Sequence, residues 1–382
     1  MKKTVILAFI LAIASSLVSC ASAADKSNKF GIEQYNNNNF DEAMKFFNQA
    51  ISQDNSKKEY YNNQGMTYIR LGKYDNALAS FDTALSKDVS DMLAYRGKGI
   101  TYLNNKEYDK AIEAFNLAIS YTGSMVDDLD YDLMKYRAEA EVGKGDYSAA
   151  VQTYTSLIQL NVDPVINTIR RGSVFMKAGQ LEDAQKDFNA AIKADSKNYS
   201  LYVNIYQTLV AYGHQNEAEA FLQAALEITA NGNSDKLMRG KIFYLLSQNE
   251  SAEGEFQAAA NNGSEEGILY LARLYEDEER FDEAIALYEQ YMAKNEKQSA
   301  KVYNQLAICK IKQEDYDSAL QMIKQGISLD DGFMIRDLKW NEALVYEYKG
   351  DYKTAYDKLK EFGDTYSYDE TLMKEMAFLK TR

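Results

Sequence analysis

A fixed spacing of 34 residues constrains the fold of this chain more than any other feature of its sequence. Residues 58–125 contain one helical-hairpin pattern written twice in the same register. The first copy consists of Tyr61, Gly65, Tyr68, Gly72, Tyr74, Ala77, Phe81, Ala84 and Leu85. The second copy consists of Tyr95, Gly99, Tyr102, Tyr108, Ala111, Phe115, Ala118 and Ile119. A period of this length is typical of a solenoid, in which each unit is one supersecondary element stacked on its neighbours.

An alanine at a corresponding position of each predicted second helix recurs ten times along the chain. These residues are Ala43, Ala77, Ala111, Ala150, Ala184, Ala218, Ala252, Ala284, Ala319 and Ala355. The gaps between them are 34, 34, 39, 34, 34, 34, 32, 35 and 36 residues. Apolar residues follow each alanine at the spacing of one helix face. The sequence therefore predicts about ten helical hairpins.

The order of residue types within a unit resembles the tetratricopeptide repeat (TPR): an aromatic residue, Gly and Tyr, then Ala, Phe and Ala. The resemblance implies an all-α fold, a right-handed superhelical solenoid of about ten TPR hairpins plus a C-terminal capping helix. It also implies that the first helices line a concave face that binds protein partners. Two departures from the pattern are the missing Pro at the end of each unit and Asn249, which stands where unit seven should carry an aromatic residue.

Composition agrees with a helical scaffold and excludes one class of partner. The chain has a single Pro, which favours uninterrupted helices, and 46% hydrophobic residues, which is enough for a continuous core. Most of its 30 Tyr residues fall at repeat-core positions. The formal net charge of −14 and the absence of a basic stripe make nucleic-acid binding an unfavourable hypothesis.

The first residues have the pattern of an export signal. Lys2 and Lys3 precede an apolar run from Val5 to Ile13, which is too short to span a bilayer. The following Leu17-Val18-Ser19-Cys20 resembles the lipobox of bacterial lipoproteins, in which the Cys is lipidated. We therefore expect a signal peptide at 1–19 and a protein that is exported and lipid-anchored to the cell membrane or outer membrane, facing the extracytoplasmic side. The alternative is cleavage after Ala21-Ser22-Ala23, which would discard Cys20.

The irregular gap of 39 residues divides the predicted array. We expect the lipidated Cys20 and a short linker at 20–23, and units one to three at 24–125. An insertion at 126–130 precedes units four to ten at 131–369, and the capping helix occupies 370–382. The turn inside each hairpin needs a positive φ, which Gly72, Gly145, Gly179, Gly213 and Gly350 can supply. The runs Asn36–Asn39 and Asn104-Asn105 are expected to do so elsewhere.

The sequence carries no pattern of catalytic residues. Its one histidine, His214, lies in a predicted turn, and no metal-ligand or phosphate-loop motif accompanies it. The acidic run Glu276–Glu279 is interpreted as solvated charge between two helices. We expect neither enzymatic activity nor a cofactor.

Polar side chains concentrate at the positions where, by the resemblance, TPR units contact peptides. The predicted peptide-binding residues are Asn62, Arg70, Arg96, Asn104, Arg170 and Lys177, together with Asn63, which lies next to this face. Amide and guanidinium groups within an acidic protein could hold an extended peptide and its carboxylate. Units five to ten are more apolar at these positions, which fits either a hydrophobic groove or residues buried between first helices. The equivalent residues there are Ile169, Met176, Val203, Val210, Leu237, Tyr244, Leu269, Ile308, Ile311 and Trp340.

These observations together favour a membrane-anchored scaffold or adaptor that binds a peptide or partner helix in its concave groove. An alternative is a holdase-type chaperone for exported polypeptides. A hydrolase of envelope polymers is a third hypothesis, but no set of residues supports it.

Overall fold

The computed structural model describes residues 22–123, 128–295, 298–329, 334–366 and 368–382. Within these ranges the chain forms 21 α-helices and no β-strand. Twenty of the helices pair into ten hairpins and the last one follows them, so the predicted all-α repeat solenoid with a capping helix is confirmed. The predicted signal peptide and Cys20 lie outside the described residues, as do residues 126 and 127 of the predicted insertion.

The chain divides into two compact units, residues 1–196 and 197–382. The first unit holds five hairpins. Their helices are α1 (Ala23–Asn36) and α2 (Phe40–Gln53), α3 (Lys58–Arg70) and α4 (Tyr74–Lys87), α5 (Met92–Asn104) and α6 (Tyr108–Ser120), α7 (Asp128–Lys144) and α8 (Tyr147–Gln159), and α9 (Pro164–Lys177) and α10 (Leu181–Ala194). Helix α7 has 17 residues, and its first three are the last three residues of the predicted insertion.

The second unit holds five further hairpins and the terminal helix. Its helices are α11 (Tyr199–Ala211) and α12 (Gln215–Leu226), α13 (Asn233–Leu245) and α14 (Asn249–Asn261), α15 (Glu265–Asp277) and α16 (Phe281–Lys294), α17 (Ala300–Lys312) and α18 (Tyr316–Ser328), α19 (Ile335–Tyr348) and α20 (Tyr352–Tyr366), and α21 (Glu370–Leu379). Leu372, Met376 and Leu379 of α21 are buried. None of the helices in the described ranges is long and apolar enough to cross a bilayer.

A phenylalanine of the second helix and a glycine of the first helix hold many of the hairpins closed. A Cβ atom on Gly65 would lie 2.7 Å from the ring of Phe81, and one on Gly99 would lie 2.4 Å from the ring of Phe115. The two helices can therefore approach this closely only because glycine has no side chain. The same contact occurs in the pairs Gly31–Phe47, Gly172–Phe188 and Gly240–Phe256. All five Phe rings are fully buried.

First helices also contact the first helices of the next hairpins. In the first unit α1 touches α3, α3 touches α5, and α5 touches α7. No neighbouring pair of second helices in the described part of this unit makes a comparable contact, so the first helices lie on the inner side of the stack. Side chains that point away from the hairpin partner on α1, α3, α5 and α7 therefore share one inner face, and side chains of α9 meet those of α5 and α7 there.

The turns agree with the sequence in most hairpins and differ in one. Gly72, Gly145, Gly179, Gly213 and Gly350 all have positive φ, as predicted, and Asn38 has φ 61°. The prediction for Asn104-Asn105 is wrong, because Lys106 holds the left-handed position with φ 60°. Helix α5 continues to Asn104, and Asn105 caps it at φ −83°. The positive φ is thereby moved one residue further along the chain.

Candidate functional site

A pocket with a volume of about 590 Å³ lies on the inner face of the first unit. Helices α5, α7 and α9 provide most of its wall, and the α5–α6 turn, the start of α6 and one side chain of α8 complete it. The lining residues are Leu103, Asn104, Lys106, Tyr108, Glu139, Val142, Gly143, Tyr154, Arg170, Ser173, Val174 and Lys177. A volume of this size lies within the range that small ligands or a few side chains of a bound segment occupy.

Three of the seven predicted peptide-binding residues meet in this pocket. Asn104 is the last residue of α5, whereas Arg170 and Lys177 lie two helical turns apart on α9. Lys106 adds a third cation from the turn that follows α5. The structure thus brings together residues that are 73 positions apart in the chain.

The cations of the pocket have no internal ion-pair partner. In the described part of the chain, no carboxylate lies within 4.0 Å of the charged nitrogens of Lys106, Arg170 or Lys177. The neighbouring Arg171 shows the usual alternative, because its guanidinium donates two hydrogen bonds of 2.8 and 2.7 Å to the carboxylate of Asp187. Among the described residues, the guanidinium of Arg170 thus has no counterpart to the Arg171–Asp187 pair.

One carboxylate, Glu139, faces these cations. The side chain is exposed, yet the protein around the pocket removes water from the carboxyl group and raises its pKa, while the positive charge of Arg170 acts in the opposite direction. Three cations against one carboxylate make the pocket locally positive within an acidic protein. Such a site attracts an anionic group.

Tyr154 carries a polar group into the apolar part of the pocket. The residue is only 4% exposed, and burial raises the pKa of its phenol to about 12. It lines the pocket together with Leu103, Val142 and Val174. Its hydroxyl makes no hydrogen bond to any other described residue. The protonated phenol is thus a hydrogen-bond donor beside an apolar floor.

The shape of one wall depends on a close contact between Tyr108 and Gly143. A Cβ atom on Gly143 would lie 2.3 Å from the Tyr108 ring, so the ring lies directly against the backbone of α7. This contact fixes the ring between α6 and α7.

The other four predicted residues lie elsewhere on the inner face. Asn62 is buried and donates a 2.7 Å hydrogen bond to Asp91. Asn63 donates to Asn28 over 2.9 Å. Because of these internal hydrogen bonds, each amide has fewer donor groups left for a ligand.

The two arginines among these four residues differ in exposure. Arg96 is 6% exposed, and its Nε donates to Asp132 over 2.6 Å. Arg70 is exposed, with its guanidinium 4.4 Å from the centre of the Phe40 ring. Peptide contact by all seven residues stays a prediction.

The apolar positions of units five to ten divide between the two interpretations that the sequence left open. Met176 and Leu237 are buried, Val210 is 37% exposed, and the other seven are half-buried.

For metal binding, the described residues contain no group of three or more His, Cys, Asp or Glu side chains that could hold an ion.

Sequence reasoning missed Tyr154, Lys106 and Glu139. Tyr154 occupies the position that holds Phe115 and Phe188 in the units on either side, so it reads as a core residue. A tyrosine at a position that neighbouring units fill with phenylalanine was the one sign in the sequence that its hydroxyl has a separate role. Lys106 was missed because the turn was placed on the two asparagines before it.

The fold and this inner face define a helical-repeat scaffold of the kind that mediates protein–protein interactions. Family models described as tetratricopeptide repeat match residues 29–57, 62–124, 169–198 and 275–338. These four segments of the chain thus match the tetratricopeptide repeat, whose fold is typically that of a non-catalytic interaction scaffold.

Comparison with curated proteins gives a partial match to DnaJ homolog subfamily C member 3 of Gallus gallus. The two are 28% identical over 127 residues, which is 32% of this chain and 25% of that protein. The chain thus spans about a quarter of the length of this relative.

Solved structures with a similar fold include a tetratricopeptide repeat protein from Parabacteroides merdae ATCC 43184. It has 17% identity and a TM-score of 0.45, and the match covers 63% of this chain and 93% of that one. Another is YrrB, described as a TPR protein with an unusual peptide-binding site. It has 23% identity and a TM-score of 0.36, and the match covers 47% of this chain and 91% of that one.

Proposed function

We propose that this protein is a lipid-anchored, extracytoplasmic adaptor that binds a segment of a partner protein on the inner face of its first unit. The observation that carries the proposal is the pocket in which Asn104, Arg170 and Lys177 converge. Its cations have no ion-pair partner within the described fold, and its floor is apolar. A partner segment that supplies the missing anion and an apolar side chain would satisfy both features.

The membrane anchor is the part of the proposal that rests on sequence alone. Lys2, Lys3, the apolar run from Val5 to Ile13 and the lipobox-like residues before Cys20 support it. Several acyl chains on one cysteine would give lasting attachment, since each buried methylene contributes about 0.8 kcal/mol. Changing Cys20→Ala should move the protein from the membrane pellet to the soluble fraction. If the variant stays in the membrane pellet, the anchor is assigned wrongly.

The adaptor function is tested by cross-linking in native membranes followed by purification of the full-length protein and its partners. The test variant is Arg170→Glu/Lys177→Glu, which reverses two charges of the pocket. The matched control is Lys45→Glu/Lys186→Glu, which makes the same change of net charge on second helices, where both side chains are 73% exposed. Circular dichroism of the two variants checks that both fold.

A small and reproducible set of partners that the test variant loses and the control keeps would support the adaptor. Partners that survive in the test variant would show that the pocket is not the binding site. A broad range of unrelated unfolded clients would instead favour the holdase.

A further inference from the structure

We infer that Tyr154 and Arg170 together bind a side-chain carboxylate of the partner segment, next to an aliphatic side chain that fills the apolar floor. This inference rests on the proposed function and gives the bound segment a chemical identity. The part of the segment that occupies the pocket is an Asp or Glu away from the segment's ends, with Leu, Ile or Val beside it. The repeats provide several copies of the position that Tyr154 occupies, with which it can be compared.

The position four residues after the repeat alanine is a core position in this chain. Phe115 and Phe188 hold it in the hairpins before and after that of Tyr154, and both rings are 0% exposed. Phenylalanine thus satisfies the packing of this position. The hydroxyl of Tyr154 is an addition that hairpin packing does not require.

A second hairpin also carries tyrosine at this position, and there the hydroxyl has an internal partner. Tyr288 of α16 donates a hydrogen bond to the carboxylate of Glu276 at the end of α15. Tyr154, by contrast, has no internal hydrogen-bond acceptor among the described residues, although it is 96% buried and lines the pocket. The hydroxyl oxygen is not enclosed by the fold, so water accepts from it in the free protein, and a ligand in the pocket can take the place of that water. The comparison with Tyr288 indicates that the acceptor suited to this position is a carboxylate.

Charge points to the same ligand group. Arg170 acts electrostatically on both Tyr154 and Glu139 and makes no ion pair with any of the described residues. A carboxylate placed between the phenol and the guanidinium accepts from both, and charge-assisted hydrogen bonds of this type are the strong ones. Lys106 and Lys177 add positive charge at the rim.

The aliphatic residues that line the pocket determine which side chain of the segment can lie beside the carboxylate. Leu103, Val142 and Val174 present aliphatic surface next to the polar pair. The inner face continues from α5 back to α3 and α1, so an extended segment can pass through the pocket. For this reason we assign the carboxylate to a side chain within the segment.

The experiment uses purified full-length protein and random 12-residue peptides displayed on phage, with the carboxyl end of each peptide fused to the coat protein. No free carboxyl terminus is then present, so only side-chain carboxylates can be selected. Binders are enriched on the native protein and depleted on Arg170→Glu. The best peptide is synthesised with an amidated end, together with its Glu→Gln or Asp→Asn analogue.

The affinities of both peptides are measured for the native protein, Tyr154→Phe and the matched control Tyr288→Phe. We expect enriched peptides with an acidic residue beside an aliphatic one, and an affinity about tenfold lower for Tyr154→Phe. The neutral analogue should bind the native protein about tenfold more weakly and show no further loss with Tyr154→Phe. Tyr288→Phe should leave both affinities unchanged.

Tyr154→Phe is expected to fold, since phenylalanine holds this position in the adjacent hairpins, and its thermal midpoint checks this. Enriched peptides that depend on Arg170 but lack an acidic residue would overturn the carboxylate assignment while leaving the adaptor in place. Equal binding of both peptides to Tyr154→Phe and to native protein would overturn the role of Tyr154. If no peptide depends on Arg170, the pocket is not the binding site, and the proposed function fails with the inference.

Discussion

At the scale of single residues, Gly143 controls the wall of the pocket through the space that it leaves for Tyr108. Gly143→Ala would place a Cβ atom 2.3 Å from the ring, so the ring or α7 must move. We expect the variant to lose about 1–3 kcal/mol of stability. The matched control is Gly254→Ala in α14, where a Cβ meets nothing within 4 Å and the change should stabilise by about 0.5–1 kcal/mol. Thermal midpoints that move in the same direction would contradict this account.

Glu139 is the residue that should make binding depend on pH. The protein around the pocket removes water from its carboxyl group and raises its pKa, so it takes up a proton at a higher pH than an ordinary glutamate does. Above the raised pKa its negative charge opposes an anionic segment, and below it that repulsion is lost. Affinity for the acidic peptide should therefore rise as pH falls through this pKa.

The variant Glu139→Gln should bind the acidic peptide roughly threefold more tightly at neutral pH and lose this part of the pH dependence. The measurement is a titration of affinity against pH for both proteins, with the neutral peptide analogue as control. Parallel curves for the native protein and the variant would show that Glu139 does not face the ligand.

At the scale of helices, Asp25 joins the first hairpin to the second. Its carboxylate accepts hydrogen bonds from Lys57, which precedes α3, and from Tyr60 within α3. These donors, Lys57 first, hold the pKa of Asp25 well below its usual value of 3.8. Because the pKa is lowered in the folded state, the contribution to stability is complete above about pH 4 and disappears as pH falls further.

Asp25→Asn should therefore destabilise α1 at neutral pH and have no effect in strong acid. The expected loss is at most about 1 kcal/mol, since the pair is more than one third exposed. Hydrogen exchange of α1 measured against pH tests this, with Glu113→Gln on the exposed side of α6 as control. Loss of protection in α1 that is equal at all pH values would indicate a packing effect and not the ion pair.

The helices and their pairing could be predicted from the sequence because the signal is repeated ten times. Exact turn positions were less predictable from residue type, as Lys106 shows: the two asparagines before it favour a positive φ by their chemistry, but the residue that adopts it lies 34 positions after Gly72. For the pocket, repeat register had singled out Asn104, Arg170 and Lys177, whose contact with a peptide stays a prediction. It could not locate Tyr154, because whether a core tyrosine directs its hydroxyl inward, as Tyr288 does, or into a pocket depends on contacts between hairpins.

At the scale of the whole molecule, the stability of each hairpin depends mainly on its contacts with the neighbouring hairpins. A substitution that removes packing should therefore destabilise only the hairpins close to it. The terminal helix α21 offers the clearest test, because it covers the last hairpin with Leu372, which is 0% exposed and packs with Leu359 and Phe362. Leu372→Ala removes buried side-chain volume and should destabilise this end by about 2–5 kcal/mol. The control is Met373→Ala, since this neighbouring side chain is 53% exposed.

Hydrogen exchange of the full-length protein distinguishes a local effect from a global one. We expect Leu372→Ala to lower protection in α19, α20 and α21 and to leave α1–α10 as in the native protein. The reason is that an array held by nearest-neighbour contacts unravels from its end, while hairpins far from the lesion keep both of their interfaces. Equal loss of protection along the whole chain would mean that the hairpins unfold as one cooperative body. In that case a ligand bound in the pocket of the first unit would also stabilise α21, whereas local unfolding leaves the two ends independent.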